Sequence, residues 1–335
     1  MSRVALPKQM RKVADRALLQ HIEAGLEKVE DALLKATEHT DPIAAVTARH
    51  LVEAGGKRIR PVLVLLTAEL GNADAASVID AAVVVELTHL ATLYHDDVMD
   101  DAPTRRGVAT AHQIWGNSVA ILTGDLLFAR ASQIVSRLGE KALTLQADTF
   151  ERLCLGQLHE TVGPQNGEDA TAHYIKVLAD KTGSLIAASA QLGAMFADAP
   201  DEYLQPLTNY GEKIGVAFQL IDDVIDIAEE GASGKTPGTD LRAGVPTLPM
   251  LLLRTEAATD AEAAALVEFI DSGLEDDAKL AEAVARLRKH PVAEAAYQEA
   301  KRWADAAIED LAPLPESAVK AALRNFAEAV VDRSN

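Results

Sequence analysis

Two short stretches carry the residue types for metal and phosphate chemistry. Asp96-Asp97-Val98-Met99-Asp100 places carboxylates at i, i+1 and i+4, and Asp222-Asp223-Val224-Ile225-Asp226 repeats the pattern 126 residues later. Both lie in apolar helical sequence, HLATLYHDDVMDD and AFQLIDDVIDIA. On a helix, residues i and i+4 share a face one turn apart. Asp96 and Asp100 therefore point the same way, as do Asp222 and Asp226. Buried carboxylates must be paired or metal-bound. Hard oxygen donors without nearby cysteine suit Mg2+, which keeps waters and shares its shell with substrate phosphates. One such motif is usually a solvated helix face. Two of them, both in apolar sequence, point to carboxylate faces that meet across a cavity and hold divalent ions around a polyanion.

Basic residues complete the expected site. Lys57 and Arg60 follow Gly55-Gly56 at a helix start, where backbone amides and the helix dipole favour anions. Arg105 and Arg106 follow the first acidic motif, Lys181-Thr182-Gly183 is expected to open a helix, and Lys235 sits beyond the second motif. The ordinary fate of such residues is a solvated surface. Here they bracket both acidic helices in a chain otherwise short of positive charge. His89 and Thr92 lie two turns and one turn before Asp96 on nearly its face, and Gln219 lies one turn before Asp222 and Asp223. Carboxylate-bound metal, a basic grip for a second diphosphate and apolar helices beneath imply a lipid-like substrate. Mg2+ with Lys and Arg would stabilise a departing pyrophosphate, and a water-free cavity would protect the carbocation left behind.

The elements that must position these groups read as helices throughout. The chain has 335 residues, 48% hydrophobic but only 4% aromatic, so Ala, Leu, Val and Ile build the core. That size fits one large domain, and we read residues 1–335 as a single all-α domain with an active-site loop at about 229–246. A net charge of −19 argues against nucleic acid as partner. The single cysteine, Cys154, fits a reducing compartment and reads as a small core residue. The N-terminal stretch lacks the apolar run of a signal peptide. No uninterrupted apolar run reaches spanning length, because Glu86 and His89 break the best candidate. A soluble cytoplasmic protein is expected. Apolar three-to-four spacing predicts helices at 17–36, 43–54, 62–70 and 75–99, then from 111 with interruptions at Gly116 and Gly124, and across most of 141–227. No period-two alternation predicts a strand.

In order and at fitting spacing, GGKRIRP, LYHDDVMDDAPTRRG, KTGSL, FQLIDDVID and GKTPGTDL resemble the trans-isoprenyl diphosphate synthases across residues 50–250. The resemblance implies an all-α isoprenoid-synthase-type bundle around a deep central cavity, usually as a homodimer. It implies that Lys57, Arg60, His89 and Arg106 bind isopentenyl diphosphate. Asp96, Asp100 and Asp222 would hold roughly three Mg2+ ions on the allylic diphosphate, with Asp97, Asp223 and Asp226 in support. Arg105, Lys181, Thr182, Gln219 and Lys235 would contact that diphosphate. Ionisation, attack by the isopentenyl double bond and proton loss to pyrophosphate complete the implied reaction. No membrane span is implied, only peripheral contact for product release. One departure is Val245, where many members carry a second loop lysine; this bears on loop closure or allylic binding.

Product length follows from smaller signals. The family blocks early-stopping tunnels with aromatics four and five residues before the first motif, where this chain has Thr92 and Ala91. It also lacks the two-residue insertion of bacterial farnesyl-type enzymes. The expected product is an all-trans polyprenyl diphosphate longer than C20, such as a quinone side-chain precursor. Tyr94 or a large side chain on 121–128 is the alternative floor, giving a geranylgeranyl or farnesyl product. A terpene cyclase would lack GGKRIRP and the second aspartate motif, and a non-catalytic subunit of a heteromeric synthase would have lost aspartates or the basic grip.

Overall fold

The computed structural model describes residues 15–228 and 237–332, and almost every described element is a helix. In order they are α1 (Arg16–Ala36), α2 (Pro42–Glu53), α3 (Ile59–Ala68), α4 (Ala76–Met99), α5 (Ala111–Trp115), α6 (Asn117–Val135), α7 (Glu140–Val162), α8 (Ala170–Leu178) and α9 (Ser184–Phe196). They continue as α10 (Leu204–Asp226), α11 (Thr239–Ala243), α12 (Leu248–Glu256), α13 (Ala261–Asp271), α14 (Asp277–Lys289), α15 (Pro291–Asp310) and α16 (Ala318–Val331). Local chemistry sets several starts. Asp15 caps α1 by accepting from the Ala17 and Leu18 amides, and Asp41 caps α2 ahead of Pro42 in the first turn.

Contacts divide the chain into two compact units. The first comprises Met1–Glu151, Leu185–Thr208 and Pro313–Leu323; the second comprises Arg152–Ser184, Asn209–Ala312 and Arg324–Asn335. Within the first, α4 is the central element, packed by α1, α3 and α6. It is buried nearly all round from Ala81 to Leu90, as expected of a core helix with no polar face. Close approach there relies on small residues. A Cβ on Gly193 of α9 would sit 2.1 Å from the Val64 carbonyl oxygen of α3. In the second unit, α12 packs on α8, α13 and α15. Ala296, Ala300, Ala304 and Ala307 form the buried stripe of α15.

Several sequence expectations need correction. Gly124 does not interrupt α6; it lies inside that helix, where a Cβ would stand 2.3 Å from His95 Nε2. It is there for close packing. A two-stranded hairpin, β1 (Thr104–Arg105) and β2 (Val108–Ala109), stands where no strand is expected. Its turn residues Arg106 and Gly107 both have positive φ, 55° and 80°, the geometry of a tight two-residue connection. Four residues are too few for periodicity to register. Part of the expected loop at 229–246 is the short helix α11. Cys154 is exposed rather than in the core. By length and composition alone α4 and α6 are apolar enough to cross a membrane, but they pack along each other, and 61% of the most apolar window of α4 is buried in protein, as in a core helix.

Gly193→Ala should destabilise the fold by about 1–3 kcal/mol, because overpacking against a backbone oxygen outweighs the helix propensity gained from alanine. Urea unfolding measures this; a midpoint equal to or above wild type would show that α3 and α9 can separate freely.

Candidate functional site

The cationic group expected from GGKRIRP is assembled in the first unit. Gly55 and Gly56 turn the chain with φ of 80° and 152°, and a Cβ on Gly56 would lie 2.8 Å from Arg106 Cζ. Arg58 then adopts a left-handed conformation, φ 47°, immediately before α3. Its side chain is fully buried. Nε donates to Glu30 at 2.5 Å, Nη1 to Glu86 at 2.7 Å and Nη2 to the Val52 carbonyl at 2.9 Å. Arg106, on the hairpin turn, donates to the carbonyls of Leu51 and Gly55 and lies 3.6 Å from the same Glu86 carboxylate. Arg60 is half-buried, and its Nε is buried without a hydrogen-bond partner. Burial, reinforced by the Arg106 charge, pushes Arg60 down to about 10. His89 is held well below its ordinary value by burial and by the neighbouring arginines, so it is neutral at pH 7. Lys57 is exposed. The arginines and lysine thus outnumber the carboxylates among them, an arrangement suited to a diphosphate.

The first acidic motif ends the same helix α4. Asp96 is half-buried, Asp100 is exposed at the C-cap, and the Asp100 amide donates to the Asp96 carbonyl at 2.8 Å. Asp97 turns inward instead. It is 1% exposed and accepts from Arg105 Nε at 2.6 Å. Burial raises its carboxyl above the usual range, against the pull of Arg105. The hairpin therefore sends Arg105 to the acidic motif and Arg106 to the cationic group. Among the described residues no three His, Cys, Asp or Glu side chains converge on an ion position. Asp96 and Asp100, one turn apart and all-oxygen, still fit Mg2+, whose shell is completed by waters and phosphate oxygens.

Behind the motif, Ala91 is fully buried and Thr92 half-buried, its hydroxyl bonded to the His89 carbonyl at 2.8 Å. Tyr94 is committed elsewhere: its hydroxyl donates to the Thr47 carbonyl at 2.5 Å and accepts from the Leu51 amide, tying α4 to α2. On α6, Phe128 packs against Phe150 with ring centroids 4.0 Å apart, and Ile121 and Leu122 are exposed.

The second unit holds the other motif. Lys181-Thr182-Gly183 does not open a helix. It lies in a π-helical turn, Ala179–Gly183, between α8 and α9; such turns often occur at functional sites. Lys181 Nζ reaches Glu160 at 2.5 Å, while Arg152 bridges Asp180 at 2.7 Å and Glu212 at 2.6 Å, fixing the turn. Thr182, Gln219 and Asp222 are half-buried. Asp223 is buried, accepting from the Tyr174 hydroxyl at 2.8 Å and the Leu248 amide at 2.9 Å. Burial pushes its carboxyl up to about 7. Asp226 accepts from the Asp240 amide at 3.2 Å and is raised by burial and the Asp240 charge. Val245 is exposed. Lys235 lies outside the described residues. The sequence reading missed Arg58, Glu30, Tyr174, Arg152 and Glu160, whose roles depend on non-local pairing; Glu86, an acid inside an apolar run, was a visible signal read only as a break.

Comparison with known proteins matches residues 41–287 to the polyprenyl synthetase family. Nonaprenyl diphosphate synthase of Mycobacterium tuberculosis (strain ATCC 25618 / H37Rv) is 43% identical over 323 residues, spanning 96% of each chain. The crystal structure of geranylgeranyl pyrophosphate synthase from Corynebacterium glutamicum complexed with calcium and isoprenyl diphosphate superposes with a TM-score of 0.87 at 42% identity, covering 96% of this chain and 99% of that one. That of a decaprenyl diphosphate synthase from Rhodobacter capsulatus gives 0.85 at 32% identity, covering 95% and 99%. With a profile match over most of its length and a relative this similar end to end, the chain belongs to the polyprenyl synthetase family.

Proposed function

We propose that the chain condenses isopentenyl diphosphate head to tail with an allylic diphosphate, repeatedly, to an all-trans polyprenyl diphosphate longer than C20. The observation that carries this reading is the pairing of two unlike phosphate-handling groups along α4. A cationic group lies around His89 and an acidic motif begins at Asp96, seven residues on, about 10 Å along a helix axis. A reaction between two diphosphates needs one held by cations alone and one held through metal.

In this reading, Lys57, Arg60, Arg106 and neutral His89 bind the isopentenyl diphosphate and orient its double bond. Asp96, Asp100 and Asp222 ligate Mg2+, which supplies charge neutralisation to the departing pyrophosphate. Arg105, Lys181, Thr182, Gln219 and Lys235 bind the allylic diphosphate directly. Asp97, Asp223 and Asp226 position the groups around them. The allylic C1–O bond breaks with its electron pair on pyrophosphate, the isopentenyl double bond closes on C1, and the proton lost goes to pyrophosphate. No side-chain base is required. Exposed Ile121, Leu122, Leu143 and Phe150 on α6 and α7 support assembly of a homodimer through that apolar surface. The enzyme works in the cytoplasm, touching a membrane surface only to release product.

Relatives at 43% and 42% identity are named for a nonaprenyl and a geranylgeranyl product, so product length rests on local side chains. Ala91 and Thr92 are small, Tyr94 is bonded to α2 and Phe128 is packed on Phe150, which favours the longer product.

Incubation with Mg2+ should release pyrophosphate only when isopentenyl and allylic diphosphates are both present; release from the allylic substrate alone would indicate a cyclase instead. Asp96→Ala should lower turnover by orders of magnitude at an unchanged melting temperature, since it removes a metal ligand and little core volume. Equal turnover would refute the metal assignment. Ala91→Phe should shift products to shorter chains by chromatography of the dephosphorylated alcohols, and an unaltered distribution would place the stop elsewhere.

A further inference from the structure

Glu86 touches two arginines of the cationic group, yet it is an acid beside a site for anions. We infer that Glu86 and Arg58 are the positioning pair of the isopentenyl diphosphate site: Glu86 sets the geometry of Arg106, and Arg58 sets the turn that carries Arg60, neither of them contacting the substrate. This rests on the reading of that site given above. The surroundings leave little room for another role. Glu86 is 1% exposed, one turn before His89 on α4, at the end of the apolar run from Ala81 to Val85. A carboxylate there must be paired to be retained. Its Oε1 receives Arg58 Nη1 at 2.7 Å and lies 3.6 Å from Arg106 Nη2.

Arg58 completes the bracket. It stands between Lys57 and Arg60 in sequence, in the left-handed conformation that turns the chain into α3. One guanidinium spans Glu30 of α1, Glu86 of α4 and the Val52 carbonyl of α2. Only a planar fork of several donors reaches three elements at once. Arg58 thereby holds α1, α2 and α4 around the Gly55–Arg60 turn. Glu86 holds Arg106 at that turn, where Arg106 also caps the carbonyls of Leu51 and Gly55. Without Glu86, the guanidiniums of Arg58, Arg60 and Arg106 would repel one another in a poorly solvated place, and substrate would have to gather them. Preorganised donors avoid that penalty at the moment of binding.

Charge and geometry predict opposite signs, which makes the test sharp. Removing a negative charge near an anion site should, by field alone, tighten diphosphate binding. Removing a positioning group should weaken it. Glu86→Gln should raise KM for isopentenyl diphosphate by about tenfold or more, with kcat and KM for the allylic substrate changed far less. Arg58→Lys keeps the charge and loses the fork, and should give the same selective rise. An unchanged or lowered KM for isopentenyl diphosphate in both variants would overturn the inference, as would equal rises for both substrates. Calorimetric titration of metal-free protein with inorganic pyrophosphate runs alongside. Absence of turnover in wild type would remove the substrate assignment, and the pyrophosphate comparison would still decide the point: weaker binding in Glu86→Gln supports positioning, and equal or tighter binding overturns it. If Glu86→Gln fails to fold, Arg58→Lys carries the same comparison.

Discussion

The constraint on which the first unit depends is the desolvation of several guanidinium groups close together. Arg58 is wholly buried, Arg106 largely so, and Arg60 has a buried nitrogen without a partner. Like charges in such a place persist only if carboxylates and carbonyls are already aimed at them. The fold provides these from different elements: Glu30 from α1, carbonyls from the end of α2, and Glu86 from the middle of α4. The helices that look like a scaffold for the arginines are also held by them. Arg58 is raised above its ordinary value because both carboxylates overcome its burial, whereas Arg60 and Arg106 are lowered because burial prevails. Those two are the less compensated cations, and on the function proposed above they are the ones that meet an anion.

The acidic motifs divide their work by position. In each, the aspartate at i+1 is buried and bonded within its own unit: Asp97 to Arg105, Asp223 to Tyr174 and the start of α12. The aspartates at i are half-buried, and that at i+4 of the first motif is exposed. A run of adjacent acids would repel itself if every member were ionised and solvated on one face. Turning one inward separates the charges and spends it on fixing a neighbouring element. Helical periodicity explains why this falls at i+1: about 100° of rotation takes that side chain off the face shared by i and i+4.

The helices, both acidic motifs and their basic neighbours were readable from the sequence because their signals are local. Periodicity located α1, α2 and α4 to within a residue or two. What was unreadable depends on contacts across the chain. Gly124 looks like a breaker until His95 is seen against it. Lys181-Thr182-Gly183 looks like a helix start until Gly156 and Gly215 are seen pressed on that turn, where a Cβ on either would lie within 2.7 Å of its backbone. Tyr94 looked available as a tunnel floor because its hydroxyl's partner is 47 residues away.

A chain of net charge −19 that binds two polyanions needs its attraction to be local. At physiological ionic strength, charges beyond about 8 Å are largely screened, so the acidic exterior contributes little at the arginines themselves. An acidic surface conversely enriches divalent cations nearby, which on the proposed function would favour their arrival with the diphosphate. On the function proposed above, strong positive groups are needed only where metal is not used, around Arg60 and Arg106. Glu86 lies 3.6 Å from Arg106 and tempers that group, because an uncompensated cluster would be too costly to assemble empty. The buried acid is thus compatible with anion binding for the same reason that the acidic surface is: over short distances, where a charge is held matters more than the sum of all charges.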